Sequence, residues 1–363
     1  MRILHVVRQF YPCVGGIENF VECLAKEQKR FGNEVSILTL NKNFATGQAL
    51  NKQETYAGIP IKRIPFIGIK RYPVALSCIK YLGDYDIIHI HCIDFFVDYL
   101  VLTKFIHKKK LIVHTHGGFF HTPWLMWFKK IYFYLVTRLI LLGCDKIIVD
   151  SIHDYKLFGQ ISKKIVLIDD GVDTNKFNNI DKRVAPWSLL FVGRLDVNKR
   201  IDNLLLTVAL LKEKNKSIKL RIAGSDWAGI KHQLDKLIDK LNIKDNVAFL
   251  GKITEKELVE EFSKAHIFVS ASQYESFGIS AVEALASGTP CVLNDIESFK
   301  SFLNGYNCGM LTDFNNHKGS AENIFEILAL KDDQYRILSF NARKRGAKFS
   351  WDIVAKKITK EYY

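Results

Sequence analysis

Two carboxylates, Glu275 and Glu283, stand with seven residues between them in the stretch VSASQYESFGISAVEALASGTPCV, residues 269–292. The stretch begins as the end of an apolar strand, Ile267 to Val269, and passes through a polar loop. A helix is predicted to start at about Phe277 and to stop at Gly288, with a new strand at Cys291 to Leu293. Glu275 then lies just before the helix and Glu283 about a turn and a half inside it. The first-turn N–H groups of a helix have no intrahelical partner, and the macrodipole adds partial positive charge there. Such an end is a seat for phosphate. Gly278 lets a ligand approach it closely. Carboxylates repel phosphate, so this pair is expected to face neutral hydroxyls, one Glu on a ribose and one on a hexose. The alternative makes Glu275 a helix cap and Glu283 a solvated surface residue.

The rest of the chain supplies matching cations. Leu189 to Val192 reads as a strand and runs into Gly193-Arg194-Leu195, with Lys199 five residues after Arg194. Arg as a planar fork and Lys as a point charge can grip a diphosphate at a strand–helix junction. The same two charges stabilise a departing nucleoside diphosphate. The loops at Gly224-Ser225-Asp226 and Gly251-Lys252, with Thr254 as the N-cap of a following helix, could line a purine pocket. Gly15-Gly16 follows the first strand in a tight turn but is not the GxGxxG dinucleotide fingerprint. His116 ends a strand before Gly117-Gly118, where open α/β sheets bind ligands. Asp84-Tyr85-Asp86 has the spacing of a DxD metal motif, but an Asp before a strand is commonplace, and no metal is expected.

These residues need a frame, and 363 residues favour two domains. Short apolar runs at 3–7, 35–40, 61–66, 87–91, 111–115 and 146–149 alternate with helical stretches near 17–31, 75–82, 95–107, 124–142 and 153–159. A second series follows, with strands at 189–192, 220–223, 247–250 and 267–269 and helices at 201–212 and from 255. The alternation predicts two doubly wound, Rossmann-like α/β domains. We place them at 1–183 and 184–348, with a last helix in residues 349–363. Residues 41–58 read as a mobile polar loop, and Gly171 to Phe177 as a turn leading into a linker.

Composition narrows the class. Apolar content of 48% and charged content of 25% are those of a globular protein. Seven cysteines, odd in number and without a CxxC, fit reduced thiols in a cytosolic protein, and no signal peptide is visible at Met1 to Val7. The net charge of +14 calls for anionic partners. Its basic residues are spread along the chain and no nucleic-acid motif is present, so nucleic acid is not expected. Trp124 to Gly143 is aromatic and apolar but broken by Lys129, Lys130 and Arg138. It reads either as an interfacial membrane helix or as a core helix with a basic outer face.

Gly15-Gly16, His116, GRLDVNKR at 193–200 and the Glu275–Glu283 segment, in this order, resemble the family-4 retaining glycosyltransferases of GT-B architecture over nearly the whole length. One departure is Asp170 before Gly171, where that family often has Asn. The resemblance implies two Rossmann-like domains facing across a cleft, the nucleotide sugar on the C-terminal one and the acceptor on the N-terminal one, with residues 349–363 crossing back to the first domain. It implies Arg194 and Lys199 on the donor diphosphate and Glu283 on the ribose hydroxyls. Glu275, with the backbone of Phe277, Gly278 and Ile279, would hold the hexose and phosphate. Gly15 and Gly16 would close over the diphosphate, and His116 would lie beside the transferred sugar. RQFYP at 8–12, HCIDFF at 91–96 and HGGFFHTP at 116–123 resemble bacterial exopolysaccharide α-mannosyltransferases. That likeness implies GDP-mannose as donor, a polyprenyl-diphosphate-linked glycan as acceptor, and work at an anionic membrane surface on the cytoplasmic side. A UDP-sugar donor and a non-catalytic sugar-nucleotide binder are the competing readings.

Overall fold

The computed structural model describes residues 1–70, 72–117, 127 and 131–363. The chain forms two compact units, Met1–Gly171 with Trp351–Tyr363, and Val172–Ser350. The first unit therefore ends twelve residues before the expected boundary at 183. The cause is apolar: Val172 and Phe177 are buried in the core of the second unit, so the supposed linker is structured.

Among the described residues the first unit is built on eight strands: β1 (Arg2–Val6), β2 (Glu34–Leu40), β3 (Gln53–Tyr56), β4 (Ile59–Ile64), β7 (Ile87–His91), β8 (Lys110–His114), β9 (Lys146–Val149) and β10 (Ile165–Leu167). Two short strands, β5 (Ile67–Ile69) and β6 (Tyr72–Val74), pair separately. The sheet order is β10-β9-β8-β7-β1-β2-β4-β3, and all neighbours are parallel except β3 with β4. Residues 41–58, expected to be a loop, thus contain the antiparallel edge strand β3. Near-continuous apolar runs in the central strands follow from burial on both faces. Leu4 and Val6 enter one core cluster and Ile3 and Val7 the other. The helix Gly16–Arg30 covers the second face with Phe20, Val21, Leu24, Ala25 and Gln28, the stripe of a helix packed on one side. The helix Trp351–Lys360 joins this unit: Asp352 pairs with Arg30 at 2.5 Å, and Tyr362 is buried. Asp86 accepts from the Arg2 backbone N–H at 2.7 Å, so it pins the start of β1. The stretch expected as a helix over 75–82 is a 3-10 helix, Leu76–Tyr81. Part of Trp124–Gly143, and residues 118–123, lie outside the described residues. Arg138–Leu142 is helical.

The second unit carries six parallel strands: β11 (Ser188–Val192), β12 (Lys219–Ala223), β13 (Val247–Gly251), β14 (Ile267–Ser270), β15 (Cys291–Asn294) and β16 (Gly309–Thr312). Their order is β13-β12-β11-β14-β15-β16. The order reverses between β11 and β14, and ligands of open α/β sheets bind outside the carboxyl ends of strands at such a switch point. The loops that leave those two strands carry Arg194 and Lys199 on one side and Glu275 on the other.

Candidate functional site

The loop after β11 is fixed before it meets any ligand. Asp196 accepts from the Asn198 N–H at 3.3 Å, and Arg200 takes a left-handed conformation, φ +46°, ahead of the helix Ile201–Lys214. The Gln273 N–H donates to the Asn198 carbonyl at 2.9 Å and ties the loop after β14 to it. These constraints bring Lys199 Nζ to 2.6 Å from Glu275 Oε1, with 15% and 17% of the two side chains exposed. Glu275 is thus an ion-pair partner of Lys199 and does not cap the helix.

That helix begins at Ile279, two residues later than expected, and runs to Ala286. The residue before it is outside the helical region and has to be glycine. Gly278 sits at φ +106°, where a Cβ would lie 2.8 Å from the Phe299 ring. Phe277 is buried against Phe302 and Phe349, at ring distances of 5.1 and 5.7 Å, so only its backbone faces outward. No side chain caps the N-terminus, and Ile279 is 52% exposed. The first turn therefore offers N–H groups and partial positive charge beside the Lys199–Glu275 pair.

Glu283 is buried, one turn further in. Its partner is Lys176, with Nζ at 2.6 Å, and the same ammonium reaches Glu255 at 2.9 Å. Burial pushes the Glu283 carboxyl up from the usual range, and the charge of Lys176 only partly offsets this. Burial is the largest single effect on Lys176 and opposes its charge, yet the charges and hydrogen bonds of Glu283 and Glu255 together outweigh it and raise the ammonium. Sequence reasoning missed Lys176 because it lies in a stretch read as linker. The one available signal was Phe177, an aromatic residue that a solvated linker has no reason to carry.

Arg194 occupies a different position from Lys199. Its guanidinium lies 5.0 Å over the Trp227 ring and lines a cavity of about 280 Å³. Gly224, Ser225, Lys252, Thr254 and Glu255 also line it, the loops expected to form a base pocket. Gly224, at φ +151°, lets this wall close: a Cβ would stand 1.8 Å from the Gly193 carbonyl oxygen. Thr254 caps the helix Glu255–Lys264 in a reciprocal capping box with Glu257. Glu255 lines the cavity and also binds Lys176, which binds Glu283, so the cavity and the buried carboxylate share one charged network.

In the first unit, Gly15 is the extended residue before the helix Gly16–Arg30, and no side chain caps it. A Cβ at Gly16 would meet nothing within 4 Å, whereas one at Gly15 would touch the Glu18 carboxylate. His116 follows β8 in a left-handed conformation, φ +52°, an uncommon state for a residue with a Cβ. Its Nε2 lies 2.9 Å from His91 Nδ1 and its Nδ1 3.3 Å from Asp150 Oδ2.

Comparisons with known proteins bear on the family and the fold. Residues 172–345 match the family described as Glycosyl transferases group 1, and residues 14–176 match Glycosyltransferase Family 4. The GDP-mannose:cellobiosyl-diphosphopolyprenol alpha-mannosyltransferase of Xanthomonas oryzae is 32% identical, across 100% of this chain and 97% of its own. The protein of that name from Komagataeibacter xylinus is 30% identical, across 100% and 93%. Among solved structures, Anabaena HepE in complex with UDP superposes with a TM-score of 0.76 at 16% identity, covering 99% of each chain. Sucrose-phosphate synthase from Thermosynechococcus elongatus gives 0.73 at 21% identity, covering 99% of this chain and 98% of that one. These two likenesses concern the fold. With relatives at 30% identity or more over the full length and two family matches that together span most of the chain, the protein belongs to the group 1, family-4 glycosyltransferases of GT-B fold.

Proposed function

We propose that the protein transfers a mannosyl residue from GDP-mannose, with retention, to a polyprenol-diphosphate-linked glycan for surface or exopolysaccharide assembly. The observation that carries this reading is full-length identity with enzymes named for that donor and a cellobiosyl-diphosphopolyprenol acceptor. The site supports it. Lys199, Arg194 and the helix tip at Gly278–Ile279 supply positive charge for a diphosphate. Glu283 accepts ribose hydroxyls, Glu275 and the backbone of Phe277 to Ile279 hold the hexose and phosphate, and the cavity beside Arg194 takes the base. Gly15 and Gly16 attend the diphosphate, and His116 attends the transferred sugar.

In the proposed reaction the bond from C1 to the diphosphate oxygen breaks through an oxocarbenium-like state. The acceptor hydroxyl forms the new C1–O bond on the same face, and its proton passes to the departing phosphate. Lys199, Arg194 and the helix N-terminus stabilise the charge that develops on the leaving group. No protein nucleophile and no metal takes part.

The decisive assay incubates purified protein with a synthetic cellobiosyl-diphosphopolyprenol and, separately, GDP-mannose, UDP-glucose, UDP-galactose and a UDP-N-acetylhexosamine. An α-linked mannosyl product, identified by NMR, is expected from GDP-mannose alone. Transfer from a UDP-sugar but not from GDP-mannose would replace the donor assignment.

We also propose that the protein docks on anionic membrane. No described helix is long and apolar enough to cross a bilayer. The touching helices Phe95–Leu102 and Arg138–Leu142, with the short helix Lys104–His107, expose Leu102, Phe105, Ile106, Leu139 and Leu142, each at 50% or more. Exposed Lys108 and Arg138 flank them. Apolar residues with flanking cations are the composition of an interfacial surface. Flotation with anionic liposomes at low salt should carry the wild type and lose Leu139→Glu. A wild type that stays at the bottom of the gradient would dismiss the surface.

A further inference from the structure

Five histidines lie together in the first unit. His5 is on β1, His89 and His91 are on β7, His114 ends β8, and His116 follows it. The first four are fully buried, and the His116 side chain is 6% exposed. Parallel pairing sets His5 opposite His89 and His91 opposite His114. Three contacts run in series. His116 Nε2 lies 2.9 Å from His91 Nδ1, His91 Nε2 lies 2.9 Å from His5 Nδ1, and His5 Nε2 lies 2.8 Å from Gln28 Oε1. Gln28, buried on the helix Gly16–Arg30, donates its NH₂ to Tyr362 Oη at 2.9 Å and to Thr359 Oγ1 at 3.3 Å. Tyr362 Oη lies 2.5 Å from His89 Nδ1.

The two triplets His5–His89–His91 and His91–His114–His116 each bring one nitrogen per residue within 4.8 Å, the ligand number of a catalytic zinc site. Direct nitrogen–nitrogen contacts at 2.9 Å already use His5, His91 and His116, so the arrangement is a hydrogen-bonded ladder.

An amide oxygen only accepts, so His5 Nε2 carries a proton. Burial lowers His5 to about 4 and holds His91 well below the usual imidazole range, so each carries one proton at neutral pH. His5 Nδ1 is then a lone pair that accepts from His91 Nε2–H. His91 Nδ1 is in turn a lone pair that accepts from His116 Nε2–H. At the far end His116 Nδ1 faces Asp150 Oδ2, which also only accepts. Two lone pairs would meet there unless Nδ1 is protonated as well. Turning the Gln28 amide around would reverse every donor and leave His116 with one proton, on Nδ1.

We infer that Gln28 is a positioning residue for His116: through His5 and His91 its amide oxygen sets the proton order of the ladder, so that His116 meets Asp150 as an imidazolium. The surroundings fit. Burial is the largest single effect on Asp150 and would raise it, yet its carboxyl is held below the usual range, because the attraction and hydrogen bonds of His114 and His116 together outweigh burial. His114 donates to the other Asp150 oxygen and stacks on His116 with ring centroids 4.2 Å apart. Burial, and then the charge of Asp150, raise the nearby Asp170 carboxyl, which leaves Asp150 the ionised member of the two. The ladder rests on the proposed function only where it assigns His116 to the sugar.

Imidazole ¹⁵N spectra of the full-length protein at neutral pH test this. His5 and His91 should show the Nε2–H tautomer, and His116 protons on both nitrogens. Gln28→Glu, which can only accept, should keep that pattern and hold turnover within about threefold. Gln28→Leu should leave His116 singly protonated and lower turnover at least about tenfold, roughly one hydrogen bond's worth. An Nδ1–H tautomer at His91 in the wild type would overturn the inference, and that spectrum needs no variant to fold. So would a Gln28→Leu spectrum identical to wild type. A ladder of the expected order in a protein that transfers no mannose would leave the inference standing and remove the functional reading.

Discussion

Replacing Lys176 with Met should expose how the buried Glu283 carboxylate, proposed to bind the ribose, is maintained. Lys176 and Glu283 side chains are 15% and 11% exposed and meet at 2.6 Å, whereas Glu255 is 78% exposed and contributes little. Removing one partner of a buried pair leaves an uncompensated charge, a loss of about 3 kcal/mol at the low end of such cases. For a domain of this size that lowers the melting temperature by roughly 6–12 °C. The pH dependence has a definite sign. Glu283 is already raised by burial, and loss of Lys176 raises it further. A raised carboxyl destabilises when ionised, so the penalty is full at neutral pH and shrinks as the pH falls and Glu283 is protonated in both proteins. A second change, Glu283→Gln, removes the orphan charge and should restore more than half of the lost stability. Donor KM should rise about tenfold with kcat little changed, as for lost binding shared by ground and transition states. Thermal melts at several pH values, with donor kinetics, read all of this. Wild-type melting in Lys176→Met, or a double variant no better than the single, would refute the reasoning.

Three further predictions follow from the same geometry. Lys199→Ala and Glu275→Ala should each lower turnover at least about a hundredfold, because loss of one preorganised stabiliser costs roughly 3 kcal/mol; near-wild-type rates in both would remove their assignment. Gly278→Ala should destabilise the second unit by about 1–3 kcal/mol, since φ +106° and the Phe299 ring both oppose a Cβ, and unchanged melting would show that the loop relaxes freely. Lys182, buried and bonded to the Phe262 carbonyl and Thr289 Oγ1, is lowered to about 7 by burial and then by Arg343. The unfolded chain therefore binds this proton more strongly between pH 7 and the ordinary lysine range, and stability should rise with pH there by up to about 1.4 kcal/mol per pH unit. Lys182→Met should remove that slope, and a wild type and variant with parallel pH profiles would contradict the assignment.

The second unit was the more legible in the sequence, and the reason is local. Leu189–Val192, Lys199 and Glu275 sit in short strand–loop–helix units, where apolar runs, glycines and charges are read over a few residues. Thr254 announced its helix through the capping box it forms with Glu257. Lys176 did not, because its role depends on a partner more than a hundred residues away and no local pattern encodes that. The first unit hid more. β3 is a four-residue edge strand, half of it exposed, without an apolar stripe to mark it. Of the five histidines only His116 was singled out, beside its Gly-Gly. Yet His89 and His91 are two residues apart on β7, and that period places them on one face of the strand; His114 and His116 repeat the spacing, with His116 just past the end of β8. The period was visible, but the parallel pairing that joins the two faces through His5 was not.

The central claim is that the carboxyl ends of β11 and β14 hold a nucleotide sugar's diphosphate between Lys199, Arg194 and the helix tip at Ile279. A crystal structure with GDP-mannose tests it most directly. The diphosphate should contact Lys199, Arg194 and the N–H groups at Gly278 and Ile279, with the ribose on Glu283. A donor bound away from these residues would contradict the account.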